Sequence, residues 1–427
     1  MNANPFTFGN PIRDPSRFYG RQQEIRQITS RLASSAHEST SVVGERRIGK
    51  TSLLSFLAHP EVSASLGLRP ESYCLVYIDF QGLTDITPHR FWQRVLAKVG
   101  RGACDEEIAA RFAKFSQREA FDLFDLEDLF ETVADRSLQI VLLLDEFEYV
   151  TQNPNFTSDF FGGLRALAIH HNLSLVPATR RELVDLCHSE EIKGSPFFNI
   201  FANVVLRPFS PPEVDQMVEG YLGGTQVTLT PEEKDMILKL AGGHPFFIQM
   251  AGYYLFEGKA QGLRDEALKS SLADAFAQQA DSHFSYLWSH SSESERITLL
   301  TTMGLAHQKP SHKTLPSLEN LSRIYRRAAL DVSTLTKRGL LVQTDSSYGL
   351  FSPSFDHWVG REIAAGPQEQ ETPTSVETWL SEGGRESLQP VRGFLPRFKR
   401  KYWPVMGEVL KEISFEFVAG VVLSKVL

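Results

Sequence analysis

The segment Gly44-Glu45-Arg46-Arg47-Ile48-Gly49-Lys50-Thr51 constrains this chain more than any other, because it fits the pattern G-x-x-x-x-G-K-[ST]. Each position answers a physical demand. The glycines let the backbone turn so that successive N–H groups, including those of Ile48 and Gly49, face a concavity suited to phosphate. A helix is predicted over Lys50–Ala58, stopped by Pro60, with its positive N-terminal end directed at the same phosphates. Lys50 is placed to neutralise the outer phosphate oxygens, and Thr51 offers a hydroxyl to Mg2+. The short apolar run Thr40–Val43 ahead of the loop reads as a strand.

Strand, loop and helix of this kind imply an α/β domain, and the next residues continue the pattern. Cys74–Phe80, Leu138–Leu144, Leu173–Ala178 and Val204–Leu206 are apolar runs bounded by turn or helix signals. Gln22–Leu32, Pro88–Val99 and Leu126–Asp135 have helical spacing. Near-continuous apolar strands alternating with helices predict a doubly wound parallel sheet covered on both faces. Ligands of such sheets gather at the carboxyl ends of the strands. Asp145 and Glu146 close one strand there; the first suits a metal shell, the second the polarisation of an attacking water. Thr179, Arg180 and Arg181 close the next, where an arginine can sense the outermost phosphate; Arg181 also reads as a surface residue opening a Glu182–Cys187 helix.

Composition narrows the class. The 427 residues carry 44 Lys+Arg against 52 Asp+Glu, a net charge of −8, which argues against a general nucleic-acid coat. The three cysteines, Cys74, Cys104 and Cys187, are far apart, so neither a disulfide framework nor a zinc site is expected. The histidines lack ligand-like spacing. The first fifteen residues show no secretory leader and no stretch is apolar enough to span a membrane, which makes a cytoplasmic location the expectation.

Five segments are predicted. Residues 1–209 form the nucleotide domain, with 1–20 an ordered arm rather than a helix. Residues 210–284 form a helical lid, opened by the capping boxes Ser210–Glu213 and Thr230–Glu233, each with Pro at the first helical position. Residues 285–365 read as a winged helix: helices at Glu293–Ala306, Leu318–Arg327 and Ala328–Arg338, then a hairpin of Leu340–Thr344 and Gly349–Ser352 turning at Asp345-Ser346-Ser347. Residues 366–390 are a polar, acidic linker. In 391–427 the basic Arg392, Arg397, Lys399, Arg400 and Lys401 alternate with Phe394, Phe398, Tyr402 and Trp403 ahead of an apolar helix. That tail suits self-association or docking, peripheral contact with an anionic membrane, or a solvated helix.

Phe18-Tyr19-Gly20-Arg21, Gly44–Leu54, Leu142–Glu148, Ala178–Glu182 and Gly243-His244-Pro245 together resemble the bacterial STAND-type P-loop ATPases, AAA-like signal-transduction ATPases of the ASCE class, in that family's order from residue 4 to about 365. The resemblance implies ATP/ADP and Mg2+ as cofactors. It places Phe18, Tyr19, Gly20 and Arg21 along the adenine. Gly44, Arg47, Ile48, Gly49, Lys50, Thr51, Ser52 and Thr179 fall around the nucleotide, Thr51 and Asp145 on the metal. Glu146, Lys50 and Arg180 are the catalytic set, and Pro245 closes over the nucleotide from the lid. Gln22 and Gln23 stand where the family has an acidic residue, so a first-helix salt bridge is not expected. The implied function is a slowly hydrolysing switch acting through self-association or an effector protein. The alternatives are a DNA-binding ATPase, reading DNA with Arg323, Arg326, Arg327, Lys337 and Arg338, and a nucleotide-stabilised adaptor that delivers its tail.

Overall fold

A computed structural model of the chain describes residues 3–190, 194, 196–307, 315–324 and 327–364. The linker 366–390, the tail 391–427 and Arg326 lie outside the described residues. The chain forms two compact units, one of Gly9–Arg207 and one joining residues 3–8 to the described residues from Pro208 onward.

In the first unit five parallel strands, β1 (Thr40–Val43), β2 (Tyr73–Asp79), β3 (Gln139–Asp145), β4 (Leu173–Thr179) and β5 (Ala202–Val205), lie in the order β2-β3-β4-β1-β5. The inner strands β1, β3 and β4 are buried at every position, whereas edge strand β2 alternates between buried and partly exposed. That is the physical difference between a strand with neighbours on both sides and one with a single neighbour. Period-2 geometry divides β3 between two cores. Ile140, Leu142 and Leu144 pack with Phe91, Phe112 and Phe130 on one face. Val141 and Leu143 pack with Ile28, Leu53 and Leu57 on the other. Those last residues belong to helices α1 (Gln22–Leu32) and α2 (Lys50–Leu57).

Several local expectations shift. Pro60 opens a helix of its own, Pro60–Ser65, because proline suits the first helical turn. The predicted Glu182–Cys187 helix is a single 3-10 turn, Leu183–Leu186. β5 starts two residues early, its register set by pairing all four residues of β1. Helix Glu106–Phe115 has no counterpart in the sequence reading; its signal is the Asp105 cap on the Ile108 N–H ahead of two glutamates.

Among its described residues the second unit is helical apart from one hairpin. Both predicted capping boxes form, and Ser292–Glu295 adds another. Gly242 ends helix Pro231–Ala241, and His244 stands just ahead of helix Pro245–Ala260. Residues 3–8 strap this unit: Phe6 is buried beside Tyr221, and a Cβ at Gly252 would come within 2.5 Å of its ring. Helices Glu293–Ala306, Leu318–Ile324 and Ala328–Lys337 precede the antiparallel strands β6 (Leu341–Thr344) and β7 (Ser347–Leu350), and helix Pro353–Ala364 follows. The hairpin loop is two residues, Asp345-Ser346, rather than the three predicted. Ser347 pairs with Thr344, and Asp345 takes the positive φ that so tight a loop requires.

Candidate nucleotide site

The site gathers at the carboxyl ends of β1, β3 and β4. Because β4 lies between the other two, the loop after β1 and the acidic end of β3 flank Thr179–Arg181. The loop leaves β1 at Gly44, whose N–H donates to the Thr179 carbonyl at 3.1 Å. Arg47 and Gly49 both have left-handed backbone, at φ 65° and 103°. Conformations of this kind turn successive N–H groups toward one side. The Ile48 side chain is fully buried and anchors the loop from below. Lys50 begins α2 and is itself buried; its Nζ donates to the carbonyls of Gly44 (2.9 Å) and Glu45 (3.2 Å). Ser52, third residue of α2, accepts the Ile12 N–H at 3.0 Å through Oγ.

Arg21 braces the loop. Its guanidinium, 3% exposed, donates to the carbonyls of Arg207 (2.6 Å) and Ile48 (3.0 Å) and pairs with Glu24 at 3.1 Å. The first-helix salt bridge thus forms after all, with Glu24 in place of a residue at Gln22 or Gln23. Phe18 stacks on Phe56 of α2 with ring centroids 4.3 Å apart, Tyr19 is half-buried beside it, and Gly20 is buried.

At the end of β3 Asp145 is 1% exposed and its carboxylate accepts the Tyr77 hydroxyl at 2.8 Å, with the Thr51 hydroxyl near enough to draw its pKa down. Burial pushes its pKa up, while Thr51, Tyr77 and Lys50 pull it down. A buried carboxylate beside a threonine hydroxyl is the sparse, hard-oxygen protein set that Mg2+ accepts when phosphate and water complete its shell, so these residues fit that ion. Among the described residues no group of three or more His, Cys, Asp or Glu could hold a metal without such help. Glu146 turns the chain with φ 52°, its N–H donating to Asp145 Oδ1 at 3.1 Å. Burial raises the Glu146 pKa and the Glu148 charge adds to this, while Lys50 and Arg180 oppose it. A proton acceptor held in that state suits water activation.

At the end of β4 the Thr179 hydroxyl donates to the Arg181 carbonyl at 2.7 Å, so it shapes the local turn. Arg180 Nε donates to Glu148 Oε1 at 2.7 Å. Pro245 belongs to the other unit, where it opens helix Pro245–Ala260. Sequence reasoning missed Tyr77, Glu148 and the bracing role of Arg21. Glu148 sits in the acidic cluster Asp145-Glu146-Phe147-Glu148, but its partner is 32 residues away in sequence.

A Walker-type ATPase of Pyrococcus abyssi superposes with a TM-score of 0.52 at 15% identity, covering 82% of this chain and 98% of its own. The ORC2 protein of Aeropyrum pernix gives 0.49 at 14% identity, covering 85% and 99%. The RuvB Holliday junction branch migration motor of Thermotoga maritima gives 0.40 at 13%, covering 81% and 98%. The first shares the fold. No curated protein matches the chain in sequence. Among the described residues no helix is long and apolar enough to cross a membrane. The family model for novel STAND NTPase 2 (nSTAND2) matches residues 21–304, more than half of the chain. With the phosphate loop and the acidic strand end assembled on a shared ATPase fold, the chain belongs to the novel STAND NTPase 2 family and is a P-loop nucleoside triphosphate hydrolase.

Proposed function

We propose that the chain is a STAND-type switch that binds ATP, hydrolyses it slowly, and couples nucleotide state to a conformational or oligomeric change. The observation that carries this reading is the convergence of Lys50, Asp145, Glu146 and Arg180 at the carboxyl ends of β1, β3 and β4. Phe18, Tyr19, Gly20 and Arg21 take the adenine side, with Arg21 acting through the loop it braces. The N–H groups of the Gly44–Thr51 loop receive the phosphates, and Ser52, Thr179 and Pro245 complete the nucleotide contacts. Lys50 neutralises developing charge on the phosphate oxygens and Arg180 acts from the far side. Thr51 and Asp145 would hold Mg2+, which supplies charge neutralisation to the phosphates when bound. Glu146 orients the water and accepts its proton.

We read residues 285–365 as a winged helix used for packing and switching. The ion pairs support this over DNA reading. Arg338 is buried against Glu295 at 3.1 Å, Arg323 pairs with Glu319 at 2.5 Å, and Arg327 lies 3.7 Å from Asp331. Arginines already paired with carboxylates attract phosphate backbones weakly. The tail 391–427 is the proposed output segment toward a partner or an anionic membrane. The test is Glu146→Gln, expected to cut ATP hydrolysis by at least about 10²-fold while nucleotide binding persists. The purified variant should retain ATP where the parent retains ADP, and the two should differ in size by gel filtration. Unchanged hydrolysis in the variant overturns the mechanism.

A further inference from the structure

The pair formed by Glu148 and Arg180 has no part in the mechanism above, yet the fold is built to make it. Left-handed Glu146 turns the chain at the end of β3, and the Phe147 N–H then bonds the Ala178 carbonyl of β4 at 3.1 Å. That crossing carries Glu148, first residue of the short helix Glu148–Thr151, to the residue that follows β4. Its side chain is 1% exposed, whereas that of Arg180 is 34% exposed. Oε1 accepts Nε at 2.7 Å, and Oε2 is buried without a hydrogen-bond partner among the described residues.

We propose that Glu148 is a positioning residue for Arg180: the buried carboxylate grips the guanidinium at Nε and fixes its plane at the end of β4, so that Arg180 meets the outer phosphate from a set direction. The inference rests on the reading of Arg180 as the phosphate-sensing arginine. Two physical points favour a lasting grip over a pair that opens when nucleotide binds. A carboxylate this deeply buried is costly to leave alone, and releasing Arg180 would strand it. A guanidinium held at Nε is also oriented as a plane, which a lysine ammonium in its place could not be.

The experiment is a double-mutant cycle of Glu148→Gln and Arg180→Ala in the full chain, read by ATP turnover and by binding of a fluorescent ATP analogue. Glu148→Gln keeps the side-chain volume, and a melting temperature close to the parent's verifies its fold. Expected is a fall in kcat of about 10²-fold with affinity changed less than about threefold, and a double variant no slower than Arg180→Ala alone. Should Glu148→Gln fail to fold, Arg180→Lys keeps the charge but loses the plane, and the same loss of kcat with retained affinity is expected. Multiplying effects in the cycle, or parental kcat in Glu148→Gln or in Arg180→Lys, overturn the proposal. A chain that is inert to Glu146→Gln instead sinks the underlying mechanism. A dead Glu146→Gln beside a fully active Glu148→Gln sinks the positioning role alone.

Discussion

Both units bury charge, and they do so to different ends. In the sheet unit Asp145 ends β3 while Lys50 and Glu148 each begin the helix that follows a strand, and their partners come from other strands and loops: Tyr77 of β2 for Asp145, loop carbonyls for Lys50, and Arg180 after β4 for Glu148. In the helical unit Glu295 pairs with Arg338, which also donates to Ser291 at 2.9 Å. Asp331 accepts from Ser294 and Thr298 of the neighbouring helix. The helical set pairs helix to helix, whereas the sheet set converges on the strand ends that we propose receive the phosphates. Buried charge therefore serves as internal glue in one unit and as aimed machinery in the other.

The sharpest way to break this contrast is Arg338→Met. Removing one partner of a buried pair leaves Glu295 uncompensated and should cost about 3–5 kcal/mol, read by urea or thermal unfolding. Adding Glu295→Met should recover part of that loss, because two apolar chains no longer bury a charge, short of the Ser292–Glu295 cap that the change also removes. If the single variant is as stable as the parent, the helical pair is not glue. The same logic applied to Glu148 should instead be read in turnover.

The difference also explains what could be read in the sequence. Chemistry carried by contiguous residues was legible: Gly44–Thr51 turns phosphate-ward within eight positions, and Asp145-Glu146 follows its own apolar strand. The two boxes at Ser210 and Thr230 were legible because a cap acts over three residues. Long-range partners were not. Tyr77 reaches Asp145 only because β2 and β3 pair in register, Asp79 opposite Asp145. Nothing in the alternation of an edge strand marks which tyrosine faces the site. In sequence Arg338 stands with the cations suited to reading DNA, since charge is visible there and burial is not.

Tyr77→Phe tests the aimed side of the contrast with a smaller expected effect. A hydrogen bond to a buried carboxylate is worth about 1.5–3 kcal/mol. Losing the 2.8 Å bond should leave the fold intact. Turnover should fall about tenfold, with more Mg2+ needed for half-maximal rate. A full loss of stability with unchanged Mg2+ dependence would move Tyr77 to the glue class.

The smallest effect belongs to an exposed pair in the helical unit. His307 Nε2 lies 2.6 Å from Asp356 Oδ2, joining the end of helix Glu293–Ala306 to helix Pro353–Ala364. The Asp356 hydrogen bond raises the His307 pKa above its ordinary 6.5, against the opposing pull of burial. A raised folded-state pKa means that the protonated pair stabilises the fold fully below pH 6.5 and that this contribution fades as pH climbs through the raised value. Because the His307 side chain is 45% exposed, solvent screening holds the gain to between a few tenths and about 1 kcal/mol. Urea unfolding from pH 5.5 to 9 should show that decline in the parent and lose it in Asp356→Asn. Parallel pH curves for the two proteins would show that the pair carries no stability. That exposed link would then contribute none of the glue that the buried charges of the helical unit supply.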